Sequence, residues 1–223
     1  MAELVRIAHD RGFPPFAEAK EGKSEGLAVD ILRAASTRAG VKVNFVPVPF
    51  DQRQLTLEDG RAEAYFPLSI TPERLQLFDF TEVLVVTGGS LFVRAPNVPP
   101  ESLAALAGKT VVTPRTGPIA PFIQKTAPAV NLVVTTDYED SLNRLVRGEA
   151  SAAALSCHVG QCIADQFYPD QVIRSPSMFL ELPLAVAVPK GKSAELLIRL
   201  NVGIAAIRAD GTWQQMNDHW TKK

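Results

Sequence analysis

Between Leu4 and Val48 the sequence reads strand, helix, strand, with links too short to do more than turn the chain. LVRIAHD (4–10) sets Leu4, Arg6 and Ala8 against Val5, Ile7 and His9 at the two-residue period of a strand, and it stops at Gly12. After Gly26, in LAVDILRAASTRAG, apolar side chains at 28, 31, 32, 35 and 39 share one helical face, and Gly40 supplies the C-terminal stop. VKVNFVPV then returns to β-branched residues at alternate positions. This order implies a mostly parallel sheet covered by helices.

The pattern continues. A short helix over 51–59 ends at Gly60, and AEAYFPLS reads as a third strand. The second half repeats the plan. LAGKTVVTP (106–114) is a strand and GPIAPFIQKTA (117–127) a helix, with Pro118 near its first turn, where a missing N–H costs nothing. NLVVTT is a strand, DYEDSLNRLVRG a helix ended by Gly148, ASAAALS a strand and CHVGQCIADQFY a helix. LPLAVAVPKG follows as a strand, and Ser193 is expected to N-cap a long amphipathic helix. RGFPPF is expected to be a loop.

LEDGRAEAYFPLS (57–69) and LVRGEASAAALS (145–156) share a helix end, a glycine, an Ala-x-Ala strand and a terminal serine. This weak repeat suggests two similar α/β lobes. Ligands of open α/β sheets sit beyond the carboxyl ends of the strands, where Ser69 and Ser156 would lie. GGSLFVRAPN (88–97) would carry the chain out of the first lobe and LPLAVAVPKG would bring it back, and two crossings make a hinge.

Composition excludes several classes. An apolar fraction of 46% and a charged fraction of 21% are ordinary globular values. The net charge of −1, with both signs well mixed, offers no basic face for a polyphosphate, so no nucleic-acid partner is expected. No apolar run approaches the roughly 18 residues of a membrane span. No secretory signal precedes LVRIA, which fits a cytoplasmic protein or a mature secreted one without its leader. Cys157 and Cys162 read as two thiols or as a short-loop disulfide. Zinc is disfavoured because His158 is the one other good ligand nearby.

FPPF, GLAVDILRAASTRAG, VPVPFDQ, DGRAEA, SITPERLQLFDFT, LAGKTVVTPRTG, LVRGEASAAAL, VAVPKG and IRADGTWQQMNDHW occur in an order and spacing that resemble the family 3 extracytoplasmic solute-binding proteins, the receptors of polar amino-acid ABC importers. The resemblance runs from about residue 4 to residue 220. It implies an α/β, two-lobed periplasmic-binding-protein (flytrap) fold with a two-segment β hinge. Lobe one would be 1–93 with 187–223, and lobe two 94–186. It also implies a periplasmic or other extracytoplasmic location, a membrane ABC permease as partner, and a monomer that needs no cofactor or metal.

The resemblance assigns roles residue by residue. Arg74, in the T-x-x-R turn with Thr71, would bind a ligand carboxylate, for which a planar guanidinium fork is suited. Ser69 would add a donor to the same carboxylate. Phe13 and Phe50 would be aromatic walls, with Phe16 in the core. Asp10 would lie near a ligand amino group or cap its loop. In the second lobe Arg115, Thr116 and Gly117 form the loop before a helix, and its N-terminus would face an anion. There Gly117 replaces the expected threonine, and Pro118 follows. Ser156 stands where the family pattern ends its G-x-x-D-A strand with an aspartate that pairs with the ligand ammonium. A neutral hydroxyl does not balance a buried positive charge. The expected ligand is therefore a small carboxylate: an amino acid, an amino-acid derivative or an organic acid.

Two other functions share this fold. A dehydratase acting on a cyclic carboxylate would need a carboxyl of raised pKa beside the arginine, with Asp10, Asp51, Glu181 and His158 as candidates by position. A membrane receptor's sensor domain would keep the same grip. The ending HWTKK matches where transport receptors usually end, which favours the free protein.

Overall fold

A computed structural model describes residues 4–221. The chain divides into two compact units, Met1–Val86 with Pro183–Lys223, and Thr87–Leu182. It passes between them twice, within two strands named below.

The first unit begins with β1 (Leu4–Asp10). Within the expected loop Gly12–Phe13 forms β2 while residues 14–16 remain a turn, and β3 (Ala17–Lys20) and β4 (Lys23–Glu25) extend β2 into a small antiparallel meander. These strands are too short and too charged to signal themselves by alternation. Helix α1 (Leu27–Arg38) follows, then β5 (Lys42–Val48), a 3-10 turn (Phe50–Gln52), α2 (Arg53–Glu58) and β6 (Ala64–Ser69). β7 (Phe78–Phe80) completes the run. β1 lies between β5 and β6, parallel to both. That central position buries Ile7, Ala8 and His9 in succession, so the alternation read from the sequence gives way to burial on both faces.

The second unit contains β8 (Val85–Arg94), a 3-10 turn (Leu103–Leu106), β9 (Thr110–Pro114), α3 (Ile119–Thr126), β10 (Asn131–Thr135), α4 (Tyr138–Val146), β11 (Ala152–Ser156) and α5 (Cys157–Phe167). Its strand order is β10-β9-β11-β8, with β8 antiparallel to β11. Strand alternation sorts its core into two layers. Leu91, Val93, Val111, Ala152 and Ala154 pack with Ile119 and Ile123 of α3. Phe92, Val112, Ala153 and Leu155 face Leu142 and Leu145 of α4 and Ala164 of α5. Asp137 caps α4 by accepting from the Asp140 N–H at 2.8 Å.

β12 (Val172–Pro189) is far longer than the segment expected, and like β8 it runs from one unit into the other. In the first unit its end pairs antiparallel with β6 and β7. Helices α6 (Ala194–Ala209) and α7 (Thr212–Thr221) close the chain. Ser193 holds the N-cap position of α6 but is left-handed, with φ 55°, and its side chain makes no capping bond, contrary to expectation. α6 packs on α1 at Gly203, where a Cβ would lie 2.0 Å from the Ala35 carbonyl oxygen.

The repeated segments fold alike. α2 ends before Gly60 and β6 ends on Ser69, while α4 ends before Gly148 and β11 ends on Ser156. Both glycines are left-handed, with φ 73° and 77°, the conformation that stops a helix without a Cβ penalty.

Candidate functional site

In the first unit three of the candidate residues, Ser69, Thr71 and Arg74, lie at and just after the end of β6. Thr71 Oγ1 accepts from the Arg74 backbone N–H at 3.3 Å, and the Thr71 carbonyl accepts from Leu75 N–H at 3.0 Å. The chain is thereby held in the 3-10 turn Arg74–Gln76. The Arg74 side chain folds back along that turn, so that Nη1 donates to the Ser69 carbonyl at 2.9 Å and also to the Ser69 hydroxyl. Ser69 is itself fixed, because Leu184 of β12 lies opposite it and Ile70 N–H donates to the Pro183 carbonyl at 2.9 Å. Ser69, Thr71 and Arg74 therefore form one unit of structure. Asp79, five residues after Arg74, is engaged by Lys190 at 2.7 Å and by the Gly191 N–H.

Burial pulls the Arg74 guanidinium down to about 10, and the Arg53 cation adds to the effect. Arg53, which the sequence reading did not single out, belongs with these candidates by its charge. It opens α2, donates to the Phe50 carbonyl at 2.8 Å and sits 4.0 Å from the centroid of the Phe50 ring. The signal was the aromatic three residues before it in FDQR, the spacing of one helical turn. Phe50 is half-buried and serves as the platform for this cation.

Asp10 caps its loop, with Oδ1 accepting from Gly12 N–H at 2.9 Å. Burial pushes its carboxyl up, against the opposing pull of Gly12 N–H, His9, Arg11 and Arg53. Tyr65 is buried and its phenol is pushed well above the ordinary value by burial and by the Asp10 charge. Phe13 is half-buried, 5.4 Å from Phe16, which lies in the core at 1% exposure as the sequence suggested.

In the second unit Ser156 is buried at the end of β11, its hydroxyl 3.2 Å from Thr87 Oγ1. Beside it Cys157 Sγ lies 3.1 Å from His158 Nδ1, and Thr87 Oγ1 lies 3.0 Å from the same nitrogen. Burial pushes the Cys157 thiol up. The hydrogen bond and charge of His158, with Thr87 and the Gly88 backbone, more than offset it and leave the thiol below its ordinary value. Cys157 and Cys162 are not joined in a disulfide, which decides the choice left open by the sequence. Arg115 and Thr116 are exposed, with Arg115 N–H donating to the Thr135 carbonyl at 3.0 Å, and Gly117 takes φ 87°. The helix after this loop starts at Ile119, later than expected, with Pro118 at its N-cap.

The four candidate acids of an enzyme divide between the units. Asp10 and Asp51 belong to the first, Glu181 and His158 to the second, and Asp51 and Glu181 are exposed.

Residues 5–223 match the family described as bacterial extracellular solute-binding proteins, family 3, and the chain belongs to that family. It is 25% identical over 206 residues to the glutamine-binding protein of an ABC transporter from Bacillus subtilis, covering 91% of this chain and 74% of that protein. It is 25% identical to arginine-binding protein 1 of an ABC transporter from Escherichia coli, covering 98% of this chain and 91% of that one. Among solved structures, an ancestral arginine-binding protein bound to glutamine superposes with a TM-score of 0.81 at 27% identity, each chain fully covered. A histidine kinase sensor domain with similarity to periplasmic binding proteins reaches 0.86 at 24% identity, covering 98% of this chain and 96% of that one, a likeness of fold. The fold is thus the mixed α/β fold of periplasmic binding proteins. These two relatives, and a probable one from Haemophilus influenzae, are named as binding proteins of ABC transporters, not as enzymes. No helix among the described residues is long and apolar enough to cross a membrane.

Proposed function

We propose that this protein captures a small carboxylate-bearing solute outside the cytoplasmic membrane and delivers it to the membrane permease of an ABC importer. It acts as a monomer, with β8 and β12 as the two hinge segments. The reading rests on Arg74. A guanidinium drawn out of water beside a second cation is electrostatically stressed, and an anion relieves that stress. Its Nη1 is spent on Ser69, so the rest of the planar fork is oriented for a carboxylate. Phe50 and Phe13 supply half-buried aromatic surface in the same unit. Arg115, Thr116, Gly117 and Ser156 are the contacts assigned to the second unit. Ser156, neutral where the family pattern has an acid, removes the requirement for a ligand ammonium.

The test is a thermal-shift and calorimetry panel of amino acids, their α-hydroxy acid counterparts and other organic acids. Glutamine and arginine come first, because relatives are named for them. A ligand at 100 times its Kd raises stability by about 2.7 kcal/mol. The carboxamide of the best ligand is expected to give no shift, and Arg74→Ala to abolish binding. Tight binding retained by Arg74→Ala overturns the reading.

A further inference from the structure

We propose that Cys157, His158 and Met178 form a binding site for a soft monovalent cation, with Cu(I) as the fitting ion. All three residues belong to the second unit, and the inference stands apart from the carboxylate reading.

The site is built from two elements. Cys157 and His158 open α5, and Met178 comes from the middle of β12. Cys157 Sγ is 3.1 Å from His158 Nδ1 and 3.5 Å from Met178 Sδ, so an imidazole nitrogen and a thioether both meet the thiol sulfur. Metal–sulfur bonds of about 2.3 Å and metal–nitrogen bonds of about 2.0 Å put neighbouring donors roughly 3.5 to 3.8 Å apart at tetrahedral angles. The two separations from Cys157 Sγ therefore widen by a few tenths of an ångström to admit the ion. Met178 has the flexible side chain to allow it.

Gly88 leaves room for the Met178 thioether. Its Sδ lies 2.6 Å from where a Cβ on Gly88 would stand, and the Leu180 carbonyl oxygen lies 2.2 Å from that point. Any side chain at Gly88 would push the thioether off the thiol. Thr87 completes the arrangement. Its hydroxyl lies 3.0 Å from His158 Nδ1 and 3.2 Å from Ser156 Oγ, so it holds the ring while the nitrogen is unmetallated and turns to Ser156 when the nitrogen takes a metal.

Donor chemistry selects the ion. Thiolate and thioether sulfur with one imidazole prefer Cu(I), while Mg²⁺ and Ca²⁺ require oxygen. Binding releases the Cys157 thiol proton to solvent and forms one bond each from Sγ, Nδ1 and Sδ. Thiolate and cation neutralise one another, which suits a site whose cysteine is only 4% exposed. Met178, 37% exposed, gives the ion its way in. From the sequence alone His158 was the only partner in view. Met178 is 21 residues from the cysteine, and no spacing rule connects them.

The experiment is anaerobic titration with Cu(I) against bathocuproine disulfonate, repeated with Ag(I) as a redox-inert surrogate. One ion per chain is expected. Met178→Leu and Cys157→Ser should each weaken it by about 10- to 100-fold, with Cys162→Ser unchanged. Thermal unfolding checks the fold of each variant, and Met178→Leu, which conserves volume, decides the matter if Cys157→Ser fails to fold. Binding lost in Cys162→Ser but kept in Cys157→Ser, or undiminished in Met178→Leu, overturns the proposal.

Discussion

Arg74 reaches back to Ser69, five residues before it, and donates through Nη1 to both the carbonyl and the hydroxyl of that one residue. The serine thus orients the guanidinium, and in the proposed reading its hydroxyl proton is a further donor to the carboxylate. Ser69→Ala keeps the strand and the carbonyl bond but removes the hydroxyl. Hydrogen bonds to charged groups contribute about 1.5–3 kcal/mol, so carboxylate affinity should fall by about 10- to 100-fold. Calorimetry with the best carboxylate checks this, and an unchanged Kd would show that the hydroxyl serves the turn alone.

The same arginine is a burden to the unliganded protein. Burial and the Arg53 cation both disfavour its charged form. An apolar side chain of similar length in place of this half-buried cation removes that cost. Arg74→Met is therefore expected to raise the ligand-free Tm by about 2–4 °C, the shift that roughly 1 kcal/mol produces in a chain of this size. It should also lose carboxylate binding. Scanning calorimetry of the apo proteins measures the first effect, and a lowered Tm would mean that Arg74 is a structural anchor.

How far the site was legible follows from where its signals lie. Thr71, Arg74 and Ser69 fall within six residues, so one turn holds them and the sequence displays them together. The helices with a clean apolar face, α1 and α4, and the strands β5, β10 and β11 beside them were equally readable, because their periodicity is local. Arg53 was not, since an arginine opening a short helix looks like any solvated charge until Phe50 is seen beneath it. Met178 was invisible for a different reason. Strand pairing, not spacing, brings it to Cys157, and the glycine that makes room for it is 90 residues away.

His9 links stability to pH. It is fully buried on β1, with Nδ1 2.7 Å from the Asp10 carbonyl and Nε2 2.7 Å from Ser24 Oγ, and Phe45 and Phe66 edge its ring. Burial pushes its pKa down, outweighing the Asp10 carbonyl and charge. The unfolded chain therefore takes up this proton first as pH falls. The stability held by neutral His9 is complete above about pH 6.5, the unfolded value, and is lost below it, at no more than about 1.4 kcal/mol per pH unit. The Asp10 carboxyl, which is raised, works in the opposite sense in both wild type and His9→Gln. Urea unfolding at pH 7.5 and 5.5 should thus show a larger loss for wild type than for His9→Gln. Equal losses would place the His9 proton uptake outside this interval.

Ser156 offers the sharpest test of ligand chemistry. Its hydroxyl is buried against Thr87, so an aspartate there would hold a carboxylate away from water with little to neutralise it. The ligand-free Ser156→Asp protein should accordingly be less stable than wild type. A ligand ammonium relieves that penalty, and an α-hydroxy group of the same size does not. Wild type is expected to bind an α-amino acid and its α-hydroxy acid counterpart within about threefold of one another, a difference below 1 kcal/mol. Ser156→Asp should favour the amino acid by about tenfold or more, since a charge-assisted bond replaces a neutral one. Paired titrations of both proteins with both ligands give the coupling directly. A preference unchanged by the substitution would remove Ser156 from the ligand contacts and leave Arg74 as the group that defines the site.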